Sequence, residues 1–179
     1  VLAMGRHTLS GLTLIELLIL ISILGVISLC TPTIASISAK QRLLSSQEEL
    51  RQLTNLARAG AMSLQQPMTL CPLDINQRCT TNWSGVLSVF SDLNGNRRLD
   101  PNEQILHVLQ IDPLITLHWR GMRPNNSLHF SAKGATFVSN GTFSLCSYSY
   151  NETFQLIVNR QGRIRTSRSK QMCNKYPTV

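Results

Sequence analysis

The sequence lacks the motifs by which many enzymes and metal proteins are recognised. None of its cysteines stands in a C-x-x-C pair, the spacing typical of zinc and redox sites. No Walker or Rossmann glycine pattern and no Ser-His-Asp arrangement is present either. We therefore expect a protein that is not an enzyme and that uses no cofactor or metal ion.

Acidic residues are scarce, since 9 Asp and Glu stand against 17 Lys and Arg, for a formal net charge of +8 at pH 7. The excess is greatest from Asn151 to Val179, where Glu152 is the one acid. The basic residues of this segment are Arg160, Arg163, Arg165, Arg168, Lys170 and Lys175. Such asymmetry suggests an anionic partner, either nucleic acid or a membrane surface. Aromatic residues are rare there, so nucleic-acid binding would depend on charge rather than on base stacking.

The five cysteines fall into two groups. Cys30 lies in an apolar segment, where a thiol behaves as a small hydrophobe. The polar remainder of the chain contains Cys71, Cys79, Cys146 and Cys173. In an oxidising compartment this even number predicts two disulfides with three possible connectivities. We favour Cys71 with Cys79 and Cys146 with Cys173; the alternative is that some thiols stay free.

An apolar segment of 19 residues runs from Leu12 to Cys30. About 20 such residues are needed to cross a bilayer, and the preceding Arg6 and His7 would stay on the cytoplasmic side. Glu16 lies inside this segment, where a carboxylate costs about 2.5 to 3.5 kcal/mol on insertion scales. This cost predicts that Glu16 has a specific partner.

The residues SGLTLIELLI, which are numbers 10–19, resemble the type III prepilin signal of type IV pilins and type II secretion pseudopilins. The resemblance implies that prepilin peptidase cuts after Gly11 and methylates Leu12, although the family usually has an aromatic residue at that second position. It also implies that Glu16 pairs with the terminal amine of a neighbouring subunit during filament assembly. The alternative is a plain membrane anchor that tolerates one snorkelling acid.

These features predict three parts of the chain. We expect residues 1–11 to be a leader peptide and residues 12–38 to be a hydrophobic transmembrane or filament-core helix. Residues 39–179 would then form a periplasmic globular domain. Pro32 is expected to kink the long helix because it cannot donate to the preceding turn.

The helix is predicted to continue in amphipathic form over about residues 39–65. Apolar residues recur there every seven positions, at Leu43, Leu50, Ala57 and Leu64. This spacing puts them on one face of a helix, which we expect to pack on a sheet. Pro67 would end the helix.

Short runs that favour β-structure, separated by turn residues, follow Pro67. The predicted strands are Val86–Phe90, Ile105–Leu109, Leu114–Trp119, Ser127–Phe130, Thr142–Ser147 and Phe154–Asn159. The predicted turns contain Asn94-Gly95, Asn125-Asn126, Asn140-Gly141 and Gln161-Gly162. A long helix followed by a largely antiparallel sheet is an α+β fold.

The loop from Asp92 to Glu103 has oxygen-bearing residues at the ligand positions of an EF-hand calcium loop. These positions hold Asp92, Asn94, Asn96, Arg98, Asp100 and Glu103. The required glycine position is occupied by Arg97, so we favour a polar hairpin loop and keep calcium as the alternative. The histidines at 107, 118 and 129 have no acid or cysteine at ligand spacing, and we expect ordinary sheet residues.

Several motifs together resemble the FimT and GspH minor-pilin family. They are F-S-D-x-N-G-N-x-x-x-D-P-x-E from residue 90, TLHW from 116, F-S-x-K-G from 130 and a late G-R turn. The resemblance implies the type IV pilin fold. In the FimT branch, a G-R-x-R element at this place is tied to DNA binding during natural transformation, and Gly162, Arg163, Ile164 and Arg165 supply it here. GspH-type secretion pseudopilins do not rely on the second arginine.

The sequence after Gly162 reads as a second strand in which Arg163 and Arg165 alternate with Ile164. Two residues rise about 6.6 to 6.8 Å in a strand, so the two guanidiniums match neighbouring phosphates of a nucleic acid. Arg160, Arg168 and Lys170 could extend this surface. The alternative is a solvated, charged edge strand that discourages sheet pairing.

We therefore expect a minor pilin of a type IV pilus that binds extracellular DNA for uptake. The alternative is a GspH-type minor pseudopilin with a structural role at the tip of a type II secretion filament. The expected partners are other pilins, prepilin peptidase and the phosphate backbone of DNA. The expected location is the bacterial inner membrane, as a single-pass protein with a periplasmic domain, and then the pilus.

Overall fold

The structure is a computed structural model that describes residues 13–122, 125–147 and 150–169, without the side chains of 29–36 and 151. Four residues with predicted roles lie outside the described ones: Gly11, Leu12, Lys170 and Cys173. The chain divides into two compact units, Val1–Ile37 and Ser38–Val179. Helix α1, Leu14–Ser63, contributes residues to both units.

In the first unit, Thr13 and Glu16 form a capping box at the start of α1. The Thr13 backbone N–H and hydroxyl donate to Glu16 Oε2 at 2.9 and 3.0 Å, and the Glu16 N–H donates to Thr13 Oγ1 at 3.3 Å. The apolar side chains that follow are exposed, from Leu14 at 78% to Ile27 at 57%. Within the part of the chain that the structure describes, no helix is long and apolar enough to qualify as a membrane span.

The second unit buries one face of the rest of α1. Leu43, Leu50 and Ala57 from the predicted stripe are fully buried, as the seven-residue spacing requires. Leu64 is 53% exposed, so its assignment to this face is wrong. The physical reason is that α1 ends at Ser63 and the chain turns away before Pro67.

Among the described residues, eight strands follow, arranged as two four-stranded antiparallel sheets rather than the one sheet that we expected. Their bounds are β1 Met68–Pro72, β2 Val86–Ser91, β3 Ile105–Gln110, β4 Thr116–Gly121, β5 Leu128–Phe130, β6 Gly141–Ser147, β7 Tyr150–Val158 and β8 Ile164–Ser169. The first sheet has the order β3-β2-β1-β5 and the second β4-β6-β7-β8. The α+β class and the antiparallel pairing are confirmed.

Strand β1 is missing from the sequence-based prediction. All five of its residues are buried, and it pairs with β2 on one side and β5 on the other. A strand buried on both faces shows no alternation of apolar and polar residues, and MTLCP is too short to be recognised otherwise. The periodicity of the sequence therefore could not predict β1, one of the two inner strands of the first sheet.

Aromatic rings fill part of the core of the second unit. Trp83 lies with its ring centroid 5.7 Å from that of Trp119 and 5.2 Å from that of Phe143. The Trp119 and Phe143 centroids are 4.3 Å apart. Large rings in contact bury much apolar surface, which stabilises the unit through the hydrophobic effect.

A disulfide joins Cys71 of β1 to Cys79, with the Cα atoms 5.5 Å apart. This is the first of the two pairs that the sequence favoured. Cys146 is also disulfide-bonded. Its predicted partner, Cys173, lies outside the described residues, so the second pairing stays a prediction.

Candidate nucleic-acid interface

The turn between β7 and β8 is held by Asn159. Its backbone N–H donates to the Arg163 carbonyl at 3.1 Å, and its side-chain Oδ1 accepts the Arg163 N–H at 2.8 Å. Its own carbonyl accepts the Gly162 N–H at 2.9 Å. These three bonds fix the direction in which the chain enters β8.

Gly162 is required at this turn for two reasons. Its φ is +72°, in the left-handed region that side chains other than glycine rarely adopt. A Cβ at this position would also overlap the carbonyl oxygen of Gly134. The same carbonyl accepts a hydrogen bond from Arg58 Nε of α1 at 3.1 Å, so helix, loop and turn are tied together here.

Arg165 lies on the solvent side of β8. It pairs in register with Ile157, which is 37% exposed, whereas its neighbour Thr166 pairs with the fully buried Leu156. Arg163 comes directly before Ile164, the first residue of β8, and belongs to the turn. Both arginines are exposed, and neither forms a salt bridge with a carboxylate of the described residues.

Arg168 belongs to the opposite side of β8. It pairs in register with Phe154, which is fully buried, and its guanidinium lies over the Phe154 ring, 5.1 Å from the centroid. This cation–π contact directs the charge away from the side of Arg165. The structure therefore does not bring Arg168 together with Arg163 and Arg165.

Arg160 is exposed but is held by the neighbouring loop. Its Nε donates to the Phe137 carbonyl at 3.2 Å, and its own carbonyl accepts the N–H groups of Thr136 and Phe137 at 3.0 and 3.3 Å. The remaining guanidinium nitrogens of Arg160 can still face an anion. Arg160 thus lies at the rim of the turn and anchors it.

A groove of about 820 Å³ lies between α1 and β8. Its lining residues are Leu44, Gln47, Glu48, Arg51, Ile164, Arg165 and Thr166. Arg51 of the helix and Arg165 of the strand both border this groove. Gln47 Nε2 donates to the Gln155 carbonyl at 3.1 Å, which joins α1 to the second sheet near this groove.

Glu48 is the one acid among the groove residues, and it is paired. Arg51 donates to it through Nε at 2.7 Å and through Nη2 at 2.6 Å, and Gln52 Nε2 adds a bond of 3.0 Å. The hydrogen bonds from Arg51, followed by the one from Gln52, lower the pKa of Glu48 to about 2. Glu48 is therefore ionised at physiological pH, and Arg51 is occupied by it.

Sequence reasoning missed three basic residues near this surface: Arg51, Arg58 and Lys133. The first two lie seven residues apart on α1 and so on the same side of the helix. Lys133 is exposed in the turn that Gly134 closes with its N–H on the Ser131 carbonyl at 2.7 Å. No signal in the sequence places these residues near Gly162, because the tertiary fold alone joins them.

The loop from Asp92 to Glu103 uses its polar side chains on itself. Glu103 accepts the N–H groups of Leu93 and Asp100 at 2.8 and 3.0 Å. Asp100 Oδ2 accepts the side-chain amides of Asn94 and Asn96 at 2.9 and 2.7 Å. Among the residues that the structure describes, no group of three or more His, Cys, Asp or Glu side chains could hold a metal ion.

Asp92 belongs to a buried polar network that sequence spacing did not reveal. It is fully buried, and its Oδ2 accepts the Thr69 hydroxyl at 2.7 Å and lies 3.7 Å from His129 Nδ1. Burial alone would raise the pKa of Asp92, but contacts with His129, Thr69 and the Arg97 N–H together lower it. His129, which we expected to be an ordinary sheet residue, lies in β5 and beside this acid. Burial also lowers the pKa of His118.

The sequence matches a family model described as type II transport protein GspH over residues 46–162, which is more than half of the chain. The chain belongs to the GspH family. The match ends at Gly162, so it includes the turn and leaves out Arg163 and Arg165. A comparison with curated proteins finds no match.

Solved structures of one type IV minor pilin share the fold, and a minor pseudopilin is also among the similar structures. The Pseudomonas aeruginosa type IV minor pilin FimU is 22% identical, with 73% of this chain and 92% of that chain covered and a TM-score of 0.54. A second crystal form of FimU is 23% identical, with 70% of this chain and 92% of that chain covered and a TM-score of 0.52. The minor pseudopilin EpsH of the Vibrio cholerae type 2 secretion system is 17% identical, with 72% and 95% coverage and a TM-score of 0.49.

This GspH-family protein therefore has the type IV pilin fold, as the sequence predicts, and is a minor pilin or pseudopilin. The family is one of structural filament proteins, which fits a location in a pilus and contact with other pilins.

Proposed function

We propose that this GspH-family protein is a minor pilin of a type IV pilus that binds extracellular DNA for uptake in natural transformation. The observation that supports this proposal is a pair of exposed arginines, Arg163 in the turn and Arg165 on the solvent side of β8. Two guanidiniums spaced like neighbouring phosphates, with no carboxylate paired to them among the described residues, favour contact with a polyanion. Gly162 positions the pair by closing the turn against Gly134.

The DNA contact would be electrostatic and independent of sequence. Phosphate contacts by arginine carry no base information, and the segment has few aromatic side chains for stacking. Arg51, Arg58, Lys133 and Arg160 would extend the positive surface around the turn. We therefore expect modest affinity and a steep dependence on salt.

The decisive experiment is a DNA-binding titration of the full chain in nonionic detergent at several salt concentrations. Changing both Arg163 and Arg165 to Gln should lower the dependence of log affinity on log salt by about 2, because each phosphate contact contributes about one unit. The matched control is Lys40→Gln with Arg120→Gln, which removes the same charge from exposed positions elsewhere. If both double variants bind DNA like the unchanged chain, the DNA proposal is wrong.

We further propose that residues 1–11 are removed after Gly11, that residues 12–38 serve as membrane anchor and filament-core helix, and that the rest is periplasmic before assembly. The exposed apolar side chains early in α1 support this arrangement, because they need a lipid or protein surface to cover them. Both bonds that the Glu16 carboxylate accepts go to Oε2. Its Oε1 could then accept from the amine of a neighbouring subunit.

Mass spectrometry of the protein from cells with active prepilin peptidase tests the processing step. We expect a chain that begins at methylated Leu12. Changing Gly11 to a bulky residue should leave the precursor uncut. A precursor that stays uncut in the unchanged chain would contradict the proposal and leave the DNA-binding surface unaffected.

The second candidate is a structural pseudopilin of a type II secretion system. The match to the family described as type II transport protein GspH favours it. Deleting the gene should then abolish secretion of the exported enzymes and leave DNA uptake unchanged. The DNA proposal expects the reverse result.

A further inference from the structure

A second cluster of arginines lies on the loops of the first sheet, away from β8 in the fold. Arg78 and Arg98 face each other across an isolated antiparallel bridge. The two loops are joined by the Cys79 N–H on the Arg97 carbonyl at 3.1 Å and by the Leu99 N–H on the Gln77 carbonyl at 2.8 Å. The disulfide from Cys79 to Cys71 then fixes this pair of loops to the buried strand β1.

The three arginines share one pocket of about 400 Å³. Its lining residues are Arg78, Cys79, Asn96, Arg97, Arg98 and Asn126. Asn126 Nδ2 donates to the Cys79 carbonyl at 3.1 Å, and this bond holds the Asn126 amide in place beside the pocket. None of the lining side chains is acidic.

The nearby carboxylates do not neutralise this cluster. Asp100 lies 4.0 Å from Arg98 Nε, at the limit of an ion pair, and its Oδ2 is already held by two asparagine amides. Asp74 Oδ1 accepts the backbone N–H groups of Asn76 and Arg78, both at 2.8 Å. Three arginines thus line one pocket that has no acidic lining residue, while Asp100 lies 4.0 Å from Arg98 Nε and Asp92 accepts the Arg97 backbone N–H at 3.3 Å. The like charges of the three arginines favour the binding of an anion.

Arg97 adds two independent signs of an unfilled site. Its φ is +59°, a left-handed backbone that a long side chain adopts only when the surroundings impose it. Its Nε is buried and has no hydrogen-bond partner within the described residues. A buried guanidinium N–H without an acceptor is costly, so a ligand oxygen would stabilise it.

We propose that this pocket, formed by Arg78, Arg97 and Arg98, binds a phosphate group. A guanidinium presents its N–H groups as a planar fork that matches two oxygens of a phosphate, and three forks on two loops can surround one tetrahedral oxyanion. The pocket is built from loops next to β1 and β2 and contains none of the residues of the β8 surface. The proposal therefore stands whether or not Arg163 and Arg165 bind DNA.

The test is an NMR titration of the full ¹⁵N-labelled chain in nonionic detergent with pyrophosphate, read at the arginine Nε–H signals. We expect the signals of Arg78, Arg97 and Arg98 to shift and saturate with a dissociation constant on the order of 1 mM or lower. The Arg120 signal, from an exposed residue on β4, should not move. Shifts that stay linear, or that are equal at all arginines, would overturn the proposal.

A double variant, Arg78→Gln with Arg98→Gln, should raise the dissociation constant for pyrophosphate by at least about tenfold, since each charge-assisted bond is worth more than 1 kcal/mol. The control Lys40→Gln with Arg120→Gln removes the same charge and should leave the constant within about twofold. Should the first variant misfold, Asn96→Ala with the Arg97 signal as readout tests the same pocket. Equal loss in both double variants would show unspecific attraction and refute the site.

Competition identifies where the phosphate comes from. With pyrophosphate bound, a short DNA duplex and phosphatidylglycerol vesicles are added in separate titrations. Release of pyrophosphate on addition of DNA, seen by ³¹P NMR while the Arg97 signal stays away from its free position, assigns the site to nucleic acid; the same result with vesicles assigns it to lipid headgroups. If neither displaces pyrophosphate from a saturated site, the pocket binds small free phosphates.

Discussion

The Gly134 carbonyl oxygen lies so close to Gly162 that a Cβ on Gly162 would overlap it. Gly162→Ala should therefore destabilise the domain by at least about 1 to 2 kcal/mol, the cost of left-handed backbone alone. We expect a lower melting temperature in calorimetry and weaker DNA binding, since the turn that directs Arg163 would shift. Gly85→Ala is the control, because nothing lies within 4 Å of its added Cβ. Equal melting temperatures of the two variants would contradict this reading of the turn.

Arg165 and Arg168 offer a matched pair on one strand. Each change to Gln removes one positive charge, but Arg165 lies on the solvent side and Arg168 over the Phe154 ring. Arg165→Gln should reduce the salt dependence of DNA binding by about one unit. Arg168→Gln should change it little and cost about 0.5 to 1 kcal/mol of stability through the lost cation–π contact. The same DNA-binding loss in both variants would show that the side of the strand does not matter.

Glu48 restrains Arg51 inside the groove between α1 and β8. Because the pKa of Glu48 is lowered to about 2, no ordinary change of pH separates the pair, and a mutation is needed. Glu48→Gln should raise DNA affinity about two- to fivefold by freeing Arg51. Glu49→Gln removes the same charge one residue away, where Glu49 lines a different pocket with His107 and Leu109. An equal gain in DNA affinity in both variants would show that the net charge of the protein, and not the release of Arg51 in the groove, causes the effect.

Asp92 should make stability depend on pH at acid values. Its folded pKa is lowered from the ordinary value of 3.8, so its contribution is complete above that pH and is lost as pH falls through the folded pKa. Asp92→Asn should cost about 1.5 to 3 kcal/mol at pH 7, the range for hydrogen bonds to a charged group. Melting curves of the two proteins should converge below pH 3.8, and a constant difference down to pH 2 would contradict the assignment.

The disulfide between Cys71 and Cys79 should stabilise both the domain and the arginine pocket. It closes a short loop, for which the entropic estimate is about 2 to 3 kcal/mol. Changing both cysteines to Ala should lower the denaturant midpoint and weaken pyrophosphate binding, because Cys79 joins Arg78 to β1. Using the variant avoids reducing Cys146, which is also disulfide-bonded. Unchanged phosphate affinity would show that the bridge does not support the pocket.

The strongest sequence signals were those repeated along the chain. The seven-residue spacing of Leu43, Leu50 and Ala57 placed the buried face of α1. Strand β1 escaped because every one of its residues is buried, which removes the alternation. Thr13 and Glu16 have the spacing of a capping box, a role that neither interpretation of Glu16, as a subunit partner or as a snorkelling acid, included.

The sequence by itself determined the α+β class, the bounds of most strands and the family, because periodicity and local motifs are properties of neighbouring residues. Only the tertiary structure decided which distant groups meet. It brought Arg51 to Arg165 and Asp92 to His129, and it placed Arg168 apart from Arg165. The physical reason is that a charge acts through space over a few ångströms, and residues tens of positions apart come within that range only when the strands pair and the helix packs.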